Sequence, residues 1–134
     1  MVEKEVTEGI IGGAIEVHRT LGPGLLESVY EECLVMELAL RGLQCERQRA
    51  VALEYKGRRL GLDLRIDLLV HDRVVVELKV VEKLLPIHEA QIITYLRLTG
   101  KPLGLLINFN VPLLKDGIRR FLNLPPLRVS VSPW

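Results

Sequence analysis

The sequence predicts an α+β sandwich, because helical periodicity comes first, strand periodicity follows, and a helix then separates two apolar runs, as in a crossover between parallel strands. Val6, Ile10, Gly13, Ala14, Val17 and Leu21 recur at helical spacing, and Gly22-Pro23-Gly24 ends that segment. A second helix has apolar positions at Leu26, Val29, Tyr30, Cys33, Met36 and Leu40 and stops at Gly42. The period then changes. Val51, Leu53 and Tyr55 alternate with Ala52 and Glu54, and Lys56-Gly57-Arg58 supplies a turn. From Leu60 to Val70 the alternation is stricter: Leu60, Leu62, Leu64, Ile66, Leu68 and Val70 are expected on one face, with Gly61, Asp63, Arg65, Asp67 and Leu69 on the other.

After the turn His71-Asp72-Arg73, the β-branched run from Val74 to Val81 makes a third strand. Pro86 suits the first turn of a third helix reaching about Thr99, where Gly100 and Pro102 end it. Leu103 to Phe109 is continuously apolar and, reached through a helical crossover, reads as a buried strand parallel to the one before. From Leu113 onward the pattern is less legible: Gly117 to Leu122 fits a short edge strand or a helical turn, and Pro125-Pro126 marks an irregular end.

A chain of 134 residues without repeats or a composition shift is expected to form one domain, residues 1–134. Hydrophobic residues at 49% and charges at 26% exclude a disordered chain, and aromatics at 4% leave Leu, Val and Ile to fill the core. Cys33 and Cys45 lack CxxC spacing and no secretory leader is evident, so a cytoplasmic location is expected, with both thiols as small core residues. The stretch from Leu103 to Leu114 is broken by Asn108, Asn110 and Pro112 and is too short for a bilayer, so no membrane role is expected.

A net charge of +1 argues against coating nucleic acid by electrostatics alone. Any polyanion contact must be local, at Arg47, Arg49, Lys56, Arg58 and Arg59 around one turn or at Arg119 with Arg120, and ordinary solvated charge accounts for each cluster equally well. His18, His71 and His88 are scattered without ligand spacing, which argues against zinc, and His18 reads as a packed or capping residue. No phosphate-binding loop, dinucleotide fingerprint or GxSxG elbow occurs.

The informative feature is a charged pair in the most apolar strand. Glu77 and Lys79 interrupt Val74, Val75, Val76, Leu78, Val80 and Val81 and point the same way. Buried charges are costly unless paired or bound to something; a water-facing cross-strand ion pair is the other reading. If the preceding turn holds three residues, Val70 opposes Val74 and Asp67 opposes Glu77, with β-carbons ~4.5–5.5 Å apart. Two carboxylates then meet, and a hard cation such as Mg²⁺ between them is the economical answer. A two-residue turn would send them to opposite sides and remove the metal hypothesis. Lys79 would stand beside the cation, where an ammonium can stabilise charge building on a phosphate. Two further polar residues sit where core is expected. Gln91 falls in the helical row of Ile87, Thr94, Tyr95 and Leu98, so its amide is expected to face the sheet, and Glu27 lies in line with Leu34 and Leu38 near a helix start. A first-turn carboxylate favoured by the helix dipole is the plainer account of Glu27.

Gly24-Leu25-Leu26-Glu27-Ser28-Val29-Tyr30 resembles the signature of the GxxExxY proteins, a prokaryotic family placed in the PD-D/ExK nuclease superfamily. The resemblance runs from about Ile10 to Ile118, through Val17-His18, Leu21-Gly22-Pro23-Gly24, Arg65-Ile66-Asp67, Val76-Glu77-Leu78-Lys79, Glu89-Ala90-Gln91 and Leu106-Ile107-Asn108-Phe109. It implies a restriction-endonuclease-like core, a mixed sheet flanked by helices. It also implies Asp67 and Glu77 as Mg²⁺ (or Mn²⁺) ligands, the carbonyl of Leu78 as a third, and Lys79 as the lysine of the motif. Gln91 and Tyr95 match the QxxxY pattern of the RecB-like and lambda-exonuclease-like branch, and Glu27 its helical glutamate. The proline that precedes the aspartate in the superfamily is replaced here by Ile66.

The leading expectation is therefore a Mg²⁺-dependent deoxyribonuclease in which metal-activated water attacks phosphorus. Structure-guided or end-guided cleavage is expected over sequence-specific cleavage. The alternatives are a catalytically silent module binding nucleic acid or a protein partner, and a structural subunit; homo-oligomer formation stays open.

Overall fold

Helices come first because each carries an apolar stripe that one face of a sheet can bury. The computed structural model describes residues 2–61 and 64–123. Helix α1 (Glu3–Leu21) buries Val6, Ile10, Gly13, Ala14 and Val17, as its periodicity requires. It ends at Gly22, whose φ of 71° is readily available to glycine and whose N–H donates to the carbonyl of His18. His18 is packed as expected, its Nε2 2.7 Å from the carbonyl of Val111.

Helix α2 (Glu27–Leu40) is rotated from the expected stripe. It buries Tyr30, Glu31, Leu34 and Leu38, whereas Leu26, Met36 and Leu40 are 73%, 63% and 81% exposed. Tyr30 sets the rotation. Its ring stacks on Phe109 with centroids 4.5 Å apart, and its hydroxyl donates to the Gly22 carbonyl while accepting the Leu25 N–H at 3.2 Å. The helix is apolar on most sides, so hydrophobic spacing could not choose a face, whereas one hydroxyl tied to two backbone groups could.

Among the described residues seven strands follow: β1 (Cys45–Val51), β2 (Glu54–Tyr55), β3 (Arg58–Arg59), β4 (Leu64–Val70), β5 (Val74–Lys79), β6 (Leu103–Asn108) and β7 (Ile118–Leu122). Helix α3 (Pro86–Thr99) connects β5 to β6. The main sheet has the order β1-β4-β5-β6-β7, with β5 and β6 parallel and the other neighbours antiparallel, while β2 and β3 form a separate hairpin. This is an α+β fold with the antiparallel hairpin, the crossover and the buried parallel strand read from the sequence. The expected strand through Val51, Leu53 and Tyr55 is divided: Val51 closes β1 and Tyr55 belongs to the small hairpin. β1 carried no apolar alternation because it is an edge strand held by backbone pairing to β4, with its middle residues exposed. The segment around Gly117 resolves into a 3₁₀ turn, Leu114–Gly117, followed by edge strand β7. Leu62, Asp63 and the Pro125-Pro126 pair lie outside the described residues.

Helices α1 and α2 cover one face of the sheet and α3 the other. Leu68, Val70, Val74, Val76 and Leu78 pack under α1 and α2, while Val51, Ile66, Leu69, Val75 and Leu106 pack under α3. The expected single face from Leu64 to Val70 is therefore corrected: Leu64 and Ile66 lie under α3, Leu68 and Val70 on the opposite side. The alternation breaks at Asp67. The β1–β4 ladder pairs Arg47 with Leu68 and Arg49 with Ile66 but skips Gln48 and Asp67, and Gln48 has a φ of 49°. A left-handed residue in one strand lets both strands turn their side chains over at that level. On β6, a Cβ at Gly104 would stand 3.0 Å from Ile92 Cδ1, so glycine there lets α3 lie close to the sheet.

Cys33 and Cys45 are free thiols packed against the core beneath α1 and α2. Among the described residues no helix is long and apolar enough to cross a membrane.

Tyr30→Phe keeps the stacked ring but leaves the Gly22 carbonyl and Leu25 N–H without their partner. Urea unfolding is expected to show a loss of about 1–3 kcal/mol with an unchanged far-UV spectrum. A variant as stable as the wild type would mean that the hydroxyl does not hold α2.

Candidate functional site

The site begins with the parity of one turn. His71, Asp72 and Arg73 form a three-residue connection, and the ladder runs Val70↔Val74, Leu69↔Val75, Leu68↔Val76. One further step brings Asp67 to Glu77. Here the backbone ladder stops and the side chains continue it: the Asp67 N–H donates to Glu77 Oε2 at 2.7 Å, and the Leu78 N–H donates to Asp67 Oδ2 at 2.8 Å. Each carboxylate thus accepts an amide from the other strand. Glu77 is 4% exposed and its Oε1 accepts no hydrogen bond among the described residues.

Lys79, at the end of β5, reaches toward α3. Its Nζ donates to Gln91 Oε1 at 3.2 Å, and Gln91 Nε2 donates to the Tyr95 hydroxyl at 3.3 Å. The expected inward row on α3 is corrected: the helix buries Ile92, Tyr95 and Leu96, whereas Ile87 is 69% exposed, Leu98 38% exposed, and Gln91 also exposed. The amide of Gln91 is satisfied by the Lys79 ammonium and the Tyr95 hydroxyl, so it does not have to sink into the core.

From the other side of the sheet, the start of α2 brings Glu27, which remains open to solvent. Its carboxyl is raised above the ordinary range by partial desolvation and by the charge of Asp67, against a pull from Lys79. The six side chains Glu27, Asp67, Glu77, Lys79, Gln91 and Tyr95 are thus linked by hydrogen bonds or by electrostatic coupling. They come from two strands and two helices.

Three supporting residues escaped the sequence reading. Gln48 donates through Nε2 to Glu31 Oε1 at 2.9 Å and to Asp67 Oδ1 at 3.4 Å, while Arg47 holds Glu31 Oε2 at 3.1 Å. Gln48 and Glu31 therefore tie α2 to Asp67. The available signal was Glu31 itself, an acidic residue one turn beyond Glu27 on the Leu34–Leu38 face. Asn108, the third, is 2% exposed; its Oδ1 accepts the Val81 N–H at 3.1 Å and its Nδ2 donates to the Val81 carbonyl at 2.9 Å. This amide takes over from the β6 backbone, which is why β5 ends at Lys79 and not at Val81 as its β-branched run implied. A lone Asn in an otherwise apolar strand was the sign of it.

Burial, and then the neighbouring charge of Asp67, push the Glu77 carboxyl up to about 8. Asp67 is raised by burial against the opposing effect of the Leu78 N–H, and the Tyr95 phenol is raised by burial and by Glu77. Among the described residues no three His, Cys, Asp or Glu side chains converge as a metal-holding group. Asp67 and Glu77 instead form an acidic pair in which each bonds to the other's strand. Mg²⁺ is commonly held by one or two carboxylates while keeping several waters, so an acidic pair with a mutual repulsion to relieve fits such an ion.

Without a cation the sign of the pH dependence follows from Glu77. Its carboxyl titrates at about 8 in the folded protein against an ordinary 4.5, so between those values only the folded state keeps the proton. Stability is full below that window and is lost as pH rises through about 8. Glu3, Glu16 and Asp72, lowered by cationic partners, act only on the acid side of it. Thermal unfolding in EDTA is expected to show Tm falling from about pH 5 to about pH 8, with Glu77→Gln removing most of the fall. A Tm that rises across that interval would contradict the burial of an acidic pair.

The profile of the PD-(D/E)XK nuclease superfamily matches residues 4–121, spanning every element from α1 to β7. No curated protein and no solved structure gives a match. The matched stretch is most of the chain and contains the acidic pair, the lysine and both helices that meet them, so the chain belongs to the PD-(D/E)XK nuclease superfamily.

Proposed function

We propose that the protein is a Mg²⁺-dependent or Mn²⁺-dependent deoxyribonuclease that hydrolyses phosphodiester bonds at the Asp67–Glu77–Lys79 cluster. The observation that carries this reading is the reciprocal approach of Asp67 and Glu77, at 2.7 Å and 2.8 Å to each other's strand, with Lys79 following on β5.

Asp67 and Glu77 would hold the divalent ion, with the Leu78 carbonyl as a further oxygen ligand. A cation bound there supplies neutralisation of the phosphate and activation of the attacking water. Binding it requires Glu77 to give up its proton, so affinity rises as pH approaches and passes about 8. Lys79 places an ammonium where negative charge accumulates on the phosphate oxygens, and Gln91 holds that ammonium in place. Tyr95 keeps its phenolic proton at neutral pH, because burial and Glu77 raise it, and therefore presents a donor while its oxygen accepts from Gln91. Glu27 adds a carboxyl of raised pKa at the solvent rim, suited to exchange a proton with water near the scissile bond.

Purified protein incubated with plasmid, linear and single-stranded DNA is expected to degrade DNA only when Mg²⁺ or Mn²⁺ is present. Lys79→Ala is expected to lower the rate by on the order of 10²–10³ and Glu77→Ala to abolish it. Metal-dependent degradation that survives both substitutions would point to a contaminant and end the proposal.

A separate measurement reads the ion without turnover. Mg²⁺ at about a hundred times its Kd is expected to stabilise the wild type by about 2.7 kcal/mol in thermal unfolding, and to leave Asp67→Asn unmoved. Equal stabilisation of both proteins would place the ion elsewhere.

A further inference from the structure

The β2–β3 hairpin contributes nothing to either hydrophobic cluster. All six residues from Glu54 to Arg59 are exposed, and its strands pair only with each other. A two-stranded hairpin is marginal without packing, so its retention calls for another reason. It closes on Lys56-Gly57, both at positive φ (51° and 78°), the turn geometry that matches strand twist.

What the hairpin displays is cationic and aromatic. Tyr55 is 63% exposed with Lys56 Nζ 5.4 Å from its ring centroid. Of the other cations flagged by the sequence, Arg47 pairs with Glu31 and Glu32, Arg49 with Glu46, and Arg119 with Glu89, while Arg120, on the opposite edge strand β7, has no ion pair among the described residues. Lys56, Arg58 and Arg59 have no ion pair among the described residues, and even Glu54, opposite Arg59 in the ladder, does not come within ion-pair distance of it.

Beside the hairpin, a cleft of about 400 Å³ opens between β1 and α3. Its floor is Val51, Ile66 and Leu69, and its walls include Arg49, Arg59 and Leu98. No residue of the acidic pair lines the cleft, but Ile66 immediately precedes Asp67 on β4 and Leu98 follows Tyr95 by one turn of α3. An apolar floor beside the Arg59 guanidinium suits an unstacked base with a flanking phosphate.

We propose that the hairpin and this cleft form a single-strand docking surface: Tyr55 stacks on a base, Lys56, Arg58 and Arg59 take successive phosphates, and the strand runs past Ile66 to the acidic pair. The assignment of that pair as the cutting centre rests on the function proposed above; the docking itself does not. Aromatic stacking combined with unpaired cations is the general chemistry of single-strand binding.

Fluorescence anisotropy in EDTA, where no hydrolysis occurs, separates the two ideas, using labelled oligo(dT) and a duplex of equal length. The wild type is expected to bind the single strand more tightly than the duplex. Tyr55→Ala should weaken single-strand binding roughly tenfold with an unchanged salt slope. The triple variant Lys56→Ala, Arg58→Ala, Arg59→Ala should lower the slope of log K against log salt by about 2. Because these positions lie outside both cores, thermal unfolding should match the wild type. Duplex binding equal to or tighter than single-strand binding, or hairpin variants that bind as the wild type does, would overturn the docking surface even if the protein cuts DNA. Preserved single-strand preference in a protein that never cuts DNA would leave it standing and remove the nuclease reading instead.

Discussion

Two carboxylates that cap each other's strand hold this molecule's site together. Antiparallel strands β4 and β5 part company after Leu68 and Val76, and at that point two backbone amides lose their carbonyl partners. Asp67 and Glu77 supply replacements, each accepting an amide from the opposite strand. Backbone N–H groups left without partners in the interior are costly, so the splay of the strands is stabilised by the same groups that create an electrostatic conflict. The conflict is visible in Glu77, which holds its proton up to about 8 because it is buried beside another acid. Fold and local electrostatics are therefore coupled through one pair of side chains.

The surrounding elements are arranged to keep that pair where it is. Gln48 and Glu31 anchor Asp67 to α2, and the turn of side-chain direction at Gln48 lets Asp67 leave the regular pleat. Asn108 secures the chain just after Lys79 through both backbone groups of Val81. Gln91 and Tyr95 extend the polar network onto α3. At the start of α2, Gly24, Glu27 and Tyr30 divide the labour of a short motif: the glycine adopts a φ of 95°, the tyrosine binds the preceding turn to the core, and the glutamate is left at the mouth of the site. Such a motif is conformational as much as chemical, since Tyr30 determines which way Glu27 can face.

Elements whose burial is one-sided or complete were the legible ones. Helix α1 and strand β6 have an apolar pattern with one solution, and both match their expected spans closely. The consequence of hairpin parity was legible, because a three-residue turn and a two-residue turn place Asp67 on opposite sides and only one of them lets the acids meet, but the fold decided which turn forms. The rotation of α2, the exposure of the Gln91 row on α3, and the flip of side-chain direction at Asp67 were not. Each depends on partners remote in the chain: Phe109 for Tyr30, Lys79 for Gln91, Gln48 for Asp67.

Periodicity, which is local, was sufficient to single out the acidic pair and the lysine as candidates and to give the order of the elements and the parallel crossover, because the pleat alternates every residue whatever lies around it. Folding in three dimensions was needed to choose among equally apolar faces of a helix and to let strands part where side chains replace the ladder. It also separated cations already bound to acids from those left available. Those choices are made by hydrogen bonds and charges between segments far apart in sequence, and such pairings leave no period behind in the order of the residues.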